Sequence, residues 1–163
     1  MTSLVRPIST TITTPFGSLI VHIDEGGLRS IDVSPDEAPV SASATNALLA
    51  ETARQFGRYF EDARFQFSIP FVLGGTHHQQ TVWDALRRIP AGSTRTYGEL
   101  ARDVGSNARS VAAACRSNPL PIIIPCHRVV GQSSLGGYCG DRSGPRFAIK
   151  LWLLHHEGSL AAF

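Results

Sequence analysis

Cysteine is scarce in this chain. Only Cys115, Cys126 and Cys139 occur among 163 residues, an odd number that excludes a fully paired disulfide framework and leaves at least one thiol free. No cysteine precedes Cys115, and the adjacent pair His77-His78 lacks metal-ligand spacing, so it reads as the polar start of a helix and no metal is expected. Long apolar runs are missing too. The longest, Leu120 to Pro125 and Phe147 to Leu154, fall well short of the roughly 20 residues that a membrane span needs. Met1 to Arg6 lacks the apolar core of a secretory signal. These absences lead to the expectation of a cytoplasmic protein with reduced thiols and no membrane association. Internal repeats are also lacking. What is present is 42% hydrophobic residues, enough to build a packed core and to exclude a disordered chain.

The net charge of +2 conceals a division. Residues 1–76 carry five Arg against eight acids, a net −3, whereas residues 77–163 carry nine Arg and Lys150 against five acids, a net +5. The basic half is the candidate nucleic-acid surface, although a solvated helix face would give the same excess. Charge needs a motif beside it.

Leu19, Val21 and Ile23 alternate with polar or smaller residues, Glu25-Gly26-Gly27 makes a turn, and Leu28 to Val33 reads as a return strand. Leu48, Leu49, Phe56, Tyr59 and Phe60 have helical spacing within Ala44 to Asp62, and Phe65 to Leu73 reads as a further strand. Pro35 to Ser43 is a polar loop. This describes a small α/β domain over residues 1–75, with Gly74-Gly75-Thr76 as the linker to a mainly helical domain over residues 76–163. In the second half, Val82, Leu86 and Ile89 share a face of a helix from His78 that stops at Pro90-Ala91-Gly92. Thr96-Tyr97-Gly98-Glu99 has the form of a capping box. Gly105 ends the helix it starts, and Ser106 or Asn107 caps another through Arg116. Two helices across a tight turn have helix-turn-helix spacing.

The chemistry-bearing segment comes after these helices. Ile122-Ile123-Ile124 reads as a short buried strand pinned by Pro121 and Pro125, with Cys126-His127-Arg128 immediately after it. A cysteine attacks as its thiolate, and His127 and Arg128 supply a proton acceptor and a cation beside Cys126. Cys115, without such neighbours, reads as packing.

Pro125-Cys126-His127-Arg128-Val129-Val130 resembles the active-site signature of the O6-alkylguanine-DNA alkyltransferases. The likeness continues through Pro90 to Ala101, Arg109-Ser110-Val111, Asn118-Pro119, Gly137-Tyr138, Lys150 to Leu154 and His156-Glu157-Gly158, so that it covers roughly residues 79–158. Residues 1–75 match only loosely. The resemblance implies an α/β N-terminal domain of RNase H-like form and a mainly α, winged helix-turn-helix-like C-terminal domain. It implies irreversible, single-use transfer of an alkyl group from O6-alkylguanine in double-stranded DNA to Cys126, with O4-alkylthymine left open as a second substrate, the base flipped out of the stack and no cofactor. Glu157 would orient His127, His127 would activate Cys126 through a water, and Tyr97 would donate to guanine N3. Arg109, Ser110, Ala112, Ala113 and Arg128 would meet DNA, with Arg109 filling the vacated stack and Ala114 adding to the small-residue face. Asn118, Pro125, Val129, Tyr138 and Cys139 would shape the pocket. A monomer is expected, with cooperative binding along DNA left open.

Three features depart from the family pattern, the first being a turn between the two helices that is about two residues shorter than in many relatives. Cys139 stands where the family often has serine, and Gly140 to Pro145 is a longer loop than usual. Two other functions use the same residues: a helix-turn-helix regulator whose Cys126 senses damage or redox state, and a hydrolase using Cys126, His127 and Glu157.

Overall fold

The computed structural model describes residues 8–36 and 46–160. Met1 to Arg6, all but the first two residues of the Pro35 to Ser43 loop, and the first two residues of the expected Ala44 to Asp62 helix lie outside the described residues. Two compact units meet in sequence between Leu73 and Gly74. Among the described residues no helix is long and apolar enough to cross a membrane.

Alternation builds the first unit. Strands β1 (Ile8–Thr14), β2 (Gly17–Asp24) and β3 (Gly27–Ser34) form an antiparallel meander in that order. Leu19, Val21 and Ile23 of β2 pair with Val33, Ile31 and Leu28 of β3, and all six are buried. Leu28 and Ile31, an odd number of residues apart, would fall on opposite faces of a regular strand. A register shift at His22/Ile23 absorbs the extra residue and turns both inward. β1 lies ahead of the expected hairpin and enlarges it to three strands. Its run Ser9 to Thr14 is rich in β-branched residues, which suit a strand without showing an apolar alternation.

Helix α1 (Ala47–Glu61) starts at Asn46, whose side chain accepts from the amides of Leu48 and Leu49. Its buried face, Leu49, Thr52, Gln55, Phe56 and Tyr59, packs on β1 and β2. The segment from Phe65 to Leu73 is extended but is no strand. It makes one bridge, Leu28 to Phe71, because Pro70 lacks an amide proton; the Leu28 amide donates to Pro70 O and the Val72 amide to Leu28 O. Side chains hold it instead, with Gln55 accepting from the Ser68 amide and Phe67 packed against Phe56 and Tyr59.

The second unit is helical. Thr76, expected in a linker, caps α2 (His77–Arg87) in a reciprocal box with Gln79. Ile89 is buried but lies beyond the end of α2. After the turn come β4 (Arg95–Thr96), α3 (Tyr97–Val104), α4 (Ala108–Arg116), a 3-10 turn at Cys126–Arg128, β5 (Val129–Val130) and α5 (Pro145–His156). At the start of α3 only half of the expected capping box forms. Thr96 accepts from the Glu99 amide, but the Glu99 carboxylate takes Arg95. Gly105, at φ 67°, closes α3 in the left-handed conformation that glycine adopts without steric cost, and Asn107 caps α4. Ser106 instead hydrogen-bonds His78 of α2. The Trp83 indole donates to Ala114 O across 2.9 Å, locking α2 to α4. β4 and β5 pair in parallel, which brings the start of α3 beside the turn that carries Cys126.

Candidate active site

The loop between α4 and β5 positions the thiol. Asn118 accepts from the Leu120 amide at 2.9 Å and donates to Ile124 O at 2.7 Å, closing the chain on itself. The expected strand at Ile122 to Ile124 is replaced by this tight loop, in which Pro121 bridges Ile124 and Ile122 sits at φ 77°. A β-branched residue in the left-handed region costs on the order of 1–3 kcal/mol, so surrounding packing must hold it. Leu120, Ile122 and Ile124 are all buried. The Cys126 amide then donates to Ile124 O, and the chain turns at Pro125 into the 3-10 turn.

His127 is fully buried, with Nε2 3.0 Å from Glu157 Oε1. An ionised carboxylate only accepts, so Nε2 carries the proton and Nδ1 presents a lone pair, with no protein partner for it among the described residues. Arg128 grips the same carboxylate with two hydrogen bonds, 2.9 and 2.8 Å, and donates to Ile89 O at 2.6 Å. Its side chain is 12% exposed, so Arg128 is a clamp inside the fold and not the DNA contact expected for it. Burial opposes ionisation of Glu157, but the hydrogen bonds from Arg128 and His127 override it and hold the carboxyl well below its usual range. Burial pulls His127 below its usual value against the pull of Glu157, so the imidazole is neutral at pH 7. Burial also pushes the Cys126 thiol up, against Asn118 and Lys150. At rest the pair is a neutral thiol beside a neutral base.

Cys126 borders a cavity of about 810 Å³, walled by α3, α4 and the loop from Gly131 to Arg142. Tyr97, the first residue of α3, faces it, and burial first, then the neighbouring Cys115 and Cys126, pushes its phenol up to about 12. At pH 7 that phenol is a donor. Gly136, at φ 72°, lies so close to Tyr97 that a Cβ there would stand 2.9 Å from the hydroxyl. Tyr138 is buried, and its backbone exchanges hydrogen bonds of 2.7 and 2.9 Å with Asp141. The two residues between them, Cys139 at φ 50° and Gly140 at φ 86°, make the turn of positive-φ residues that a two-residue hairpin prefers. Cys139 thereby borders the cavity, its thiol pushed up to about 12, mainly by burial. Cys115 borders it as well, and burial drives its thiol higher still.

Arg109 stands exposed in the first turn of α4 and lines the cavity with Ala112. Ala113 is half-buried, and the Ser110 amide is capped by Asn107. Ala114, expected on the DNA-facing side, is buried and bonded to Trp83. Sequence reasoning missed Lys150. This residue is wholly buried, and Nζ donates to Val129 O at 2.7 Å and Gly137 O at 3.0 Å, so one ammonium ties β5 to the cavity wall. Burial pulls it down to about 8, opposed by Cys126 and Cys115. Its signal was a lone lysine, the only one in the chain, inside the apolar run from Phe147 to Leu154. Among the described residues no group of three or more His, Cys, Asp or Glu is placed to hold a metal.

Comparison with known proteins matches both units. Residues 77–159 fit the family described as 6-O-methylguanine DNA methyltransferase, DNA binding domain, and residues 8–73 fit its ribonuclease-like domain. The constitutive methylated-DNA–protein-cysteine methyltransferase of Bacillus subtilis strain 168 is 38% identical over 158 residues, covering 91% of this chain and 93% of that protein. The solved structure of Mycobacterium tuberculosis O6-methylguanine methyltransferase is 33% identical with a TM-score of 0.77, and 96% of each chain is covered. A structure of the M. tuberculosis protein in complex with DNA is 34% identical with a TM-score of 0.72 over 91% of each chain.

Proposed function

The chain belongs to the 6-O-methylguanine DNA methyltransferase family, and from that premise we propose that Cys126 is the residue that receives the alkyl group. The activity is DNA repair by transfer of an alkyl group from O6-alkylguanine to the protein. One observation carries the assignment of Cys126: its thiol borders the cavity next to a fully buried His127 that Glu157 orients at 3.0 Å.

The residues then have defined tasks. Glu157, ionised and clamped by Arg128, holds the Nε2 proton of His127. Nδ1 is left to take the thiol proton, through a water, as attack begins. The Sγ–C bond forms as the C–O6 bond breaks, and the electron pair goes to the guanine. Tyr97, protonated at pH 7, donates to N3 of the departing base. Cys126, buried at 6% exposure, cannot reach a base stacked in duplex DNA, so the nucleotide turns out into the cavity. Arg109 takes its place, and Ala112 and Ala113 allow α4 close to the groove. Asn118 and Lys150 hold the frame. The thioether has no hydrolytic route back, so each molecule acts once. A thiol that must stay reduced to act on DNA supports a cytoplasmic location.

The test is a titration. Increasing amounts of protein added to excess duplex containing O6-methylguanine are expected to remove one lesion per molecule and then stop, with Cys126→Ser removing none. Continued removal beyond one equivalent would mean a hydrolase. Duplex binding with no removal would mean a damage-sensing regulator.

A further inference from the structure

Three arginines line the cavity, Arg109, Arg116 and Arg142, and no aspartate or glutamate does. Of the nearby carboxylates, Glu157 is engaged by Arg128 and His127, and Glu99 and Asp103 by Arg95; Asp141, next to Arg142 in the chain, does not line the cavity, and its charge reaches Cys139 together with the opposing charge of Arg146. Arg109 and Arg116 stand on α4, the helix assigned to DNA. Arg142 does not. It follows directly on the tight turn Tyr138–Asp141, and its stem lies along Gly137, where a Cβ would stand 3.5 Å from Arg142 Cγ. Gly136 touches Tyr97 in the same way, so Arg142 and Tyr97 flank one strip of glycine backbone on the cavity wall. Among the described residues Arg142 has no hydrogen bond and no ion pair. The cavity, at about 810 Å³, also has room for a substituent larger than methyl.

From this geometry we infer that Arg142 is a specificity-determining residue that favours O6-alkyl groups ending in a carboxylate. The inference rests on the alkyl-transfer reading above. An anionic group attached to O6 enters a cavity lined by three arginines and by no acid, and the guanidinium fork matches a carboxylate with two hydrogen bonds. With O6-carboxymethylguanine, Cys126 Sγ forms its bond to the methylene carbon as that carbon's bond to O6 breaks. The electron pair goes to guanine, and the thiol proton, relayed by His127, ends on the base. The carboxylate stays on the new thioether and keeps its ion pair with Arg142.

Single-turnover transfer is measured by intact mass with three duplexes, carrying O6-methyl-, O6-carboxymethyl- or O6-carbamoylmethylguanine. The amide matches the acid in size and lacks its charge. Wild type is expected to prefer the acid to the amide by about tenfold, a preference lost in Arg142→Gln and largely regained in Arg142→Lys. The ratio of acid to amide isolates the charge from any general effect on DNA binding. Equal rates for acid and amide in wild type would overturn the inference. So would rates that fall by one common factor with all three duplexes in Arg142→Gln, because they would assign Arg142 to a DNA phosphate. Absence of transfer even from the methyl duplex would instead overturn the alkyl-transfer reading.

Discussion

Glu157 is the side chain that orients His127 and pairs with the buried end of Arg128. Glu157→Gln keeps its shape but leaves Arg128 without a counter-charge, and removing one partner of a buried ion pair costs about 3–5 kcal/mol. A urea-denaturation series is expected to show that loss, and transfer from O6-methylguanine should slow by about a hundredfold as His127 loses its orientation. The acid response has a defined sign. Glu157 and His127 both have folded-state values below their unfolded ones, so the unfolded chain binds more protons and stability falls as pH falls. The His127 contribution is complete above about pH 6.5 and weakens below it; the Glu157 contribution begins to fade only below about pH 4.3. Melting temperature should therefore decline from pH 7 to pH 5 in wild type and at least as steeply in Glu157→Gln, where His127 has lost the charge that pulled it up, with the Glu157 share missing from the variant only at lower pH. That Cys126, His127 and Glu157 come together was legible because the Pro125 to Val130 signature and the His156-Glu157-Gly158 match single them out. Lys150 and Arg128 were not. A lysine in an apolar helix reads as a departure from pattern, and nothing in a linear motif says that its neighbour's arginine points back to a carboxylate 29 residues away.

Elements differed in how openly they declared themselves. Helices α1 to α4 and the β2–β3 hairpin follow from apolar period, caps and turn residues, and the site segments they carry fall into place through the β4–β5 pairing. Phe65 to Leu73 and Ile122 to Ile124 misled because apolar, β-branched runs satisfy strand propensity while their prolines and a left-handed Ile122 prevent a ladder. β1 escaped for the opposite reason, since threonines hide its alternation. The cavity-wall loop offers a test at this scale. Gly136→Ala must accept φ 72° and push on Tyr97, whereas Gly140→Ala accepts φ 86° with nothing within 4 Å of its new methyl. Both should lose about 1 kcal/mol of stability, but only Gly136→Ala should slow transfer tenfold or more, by displacing the Tyr97 hydroxyl. Equal transfer rates in the two variants, measured under single-turnover conditions, would detach Tyr97 from the reaction.

Over the whole molecule the charge is divided, −3 before His77 and +5 from there on, and the basic share coincides with the unit that holds the thiol. That coincidence, with the family match, makes DNA the partner. A single-use protein also changes state when it reacts. Alkylation removes the S–H proton of Cys126 and adds a methyl group to a buried sulfur in contact with Asn118, the residue that closes the loop between α4 and β5, and straining that contact costs about 1–3 kcal/mol. Fully methylated protein is expected to melt about 2–4 °C below the unreacted form, with Cys126→Ser unchanged by the same treatment; an identical melting temperature would mean that the pocket takes the methyl group without strain. The central claim is narrower than this: one alkyl group, on one of three thiols that share a cavity. Intact mass followed by peptide mapping, after incubation with a duplex carrying a single O6-methylguanine, decides it directly. One added methyl per molecule is expected, found on the peptide containing Cys126 and absent from Cys126→Ser. A methyl found on Cys115 or Cys139, or more than one per molecule, would contradict it.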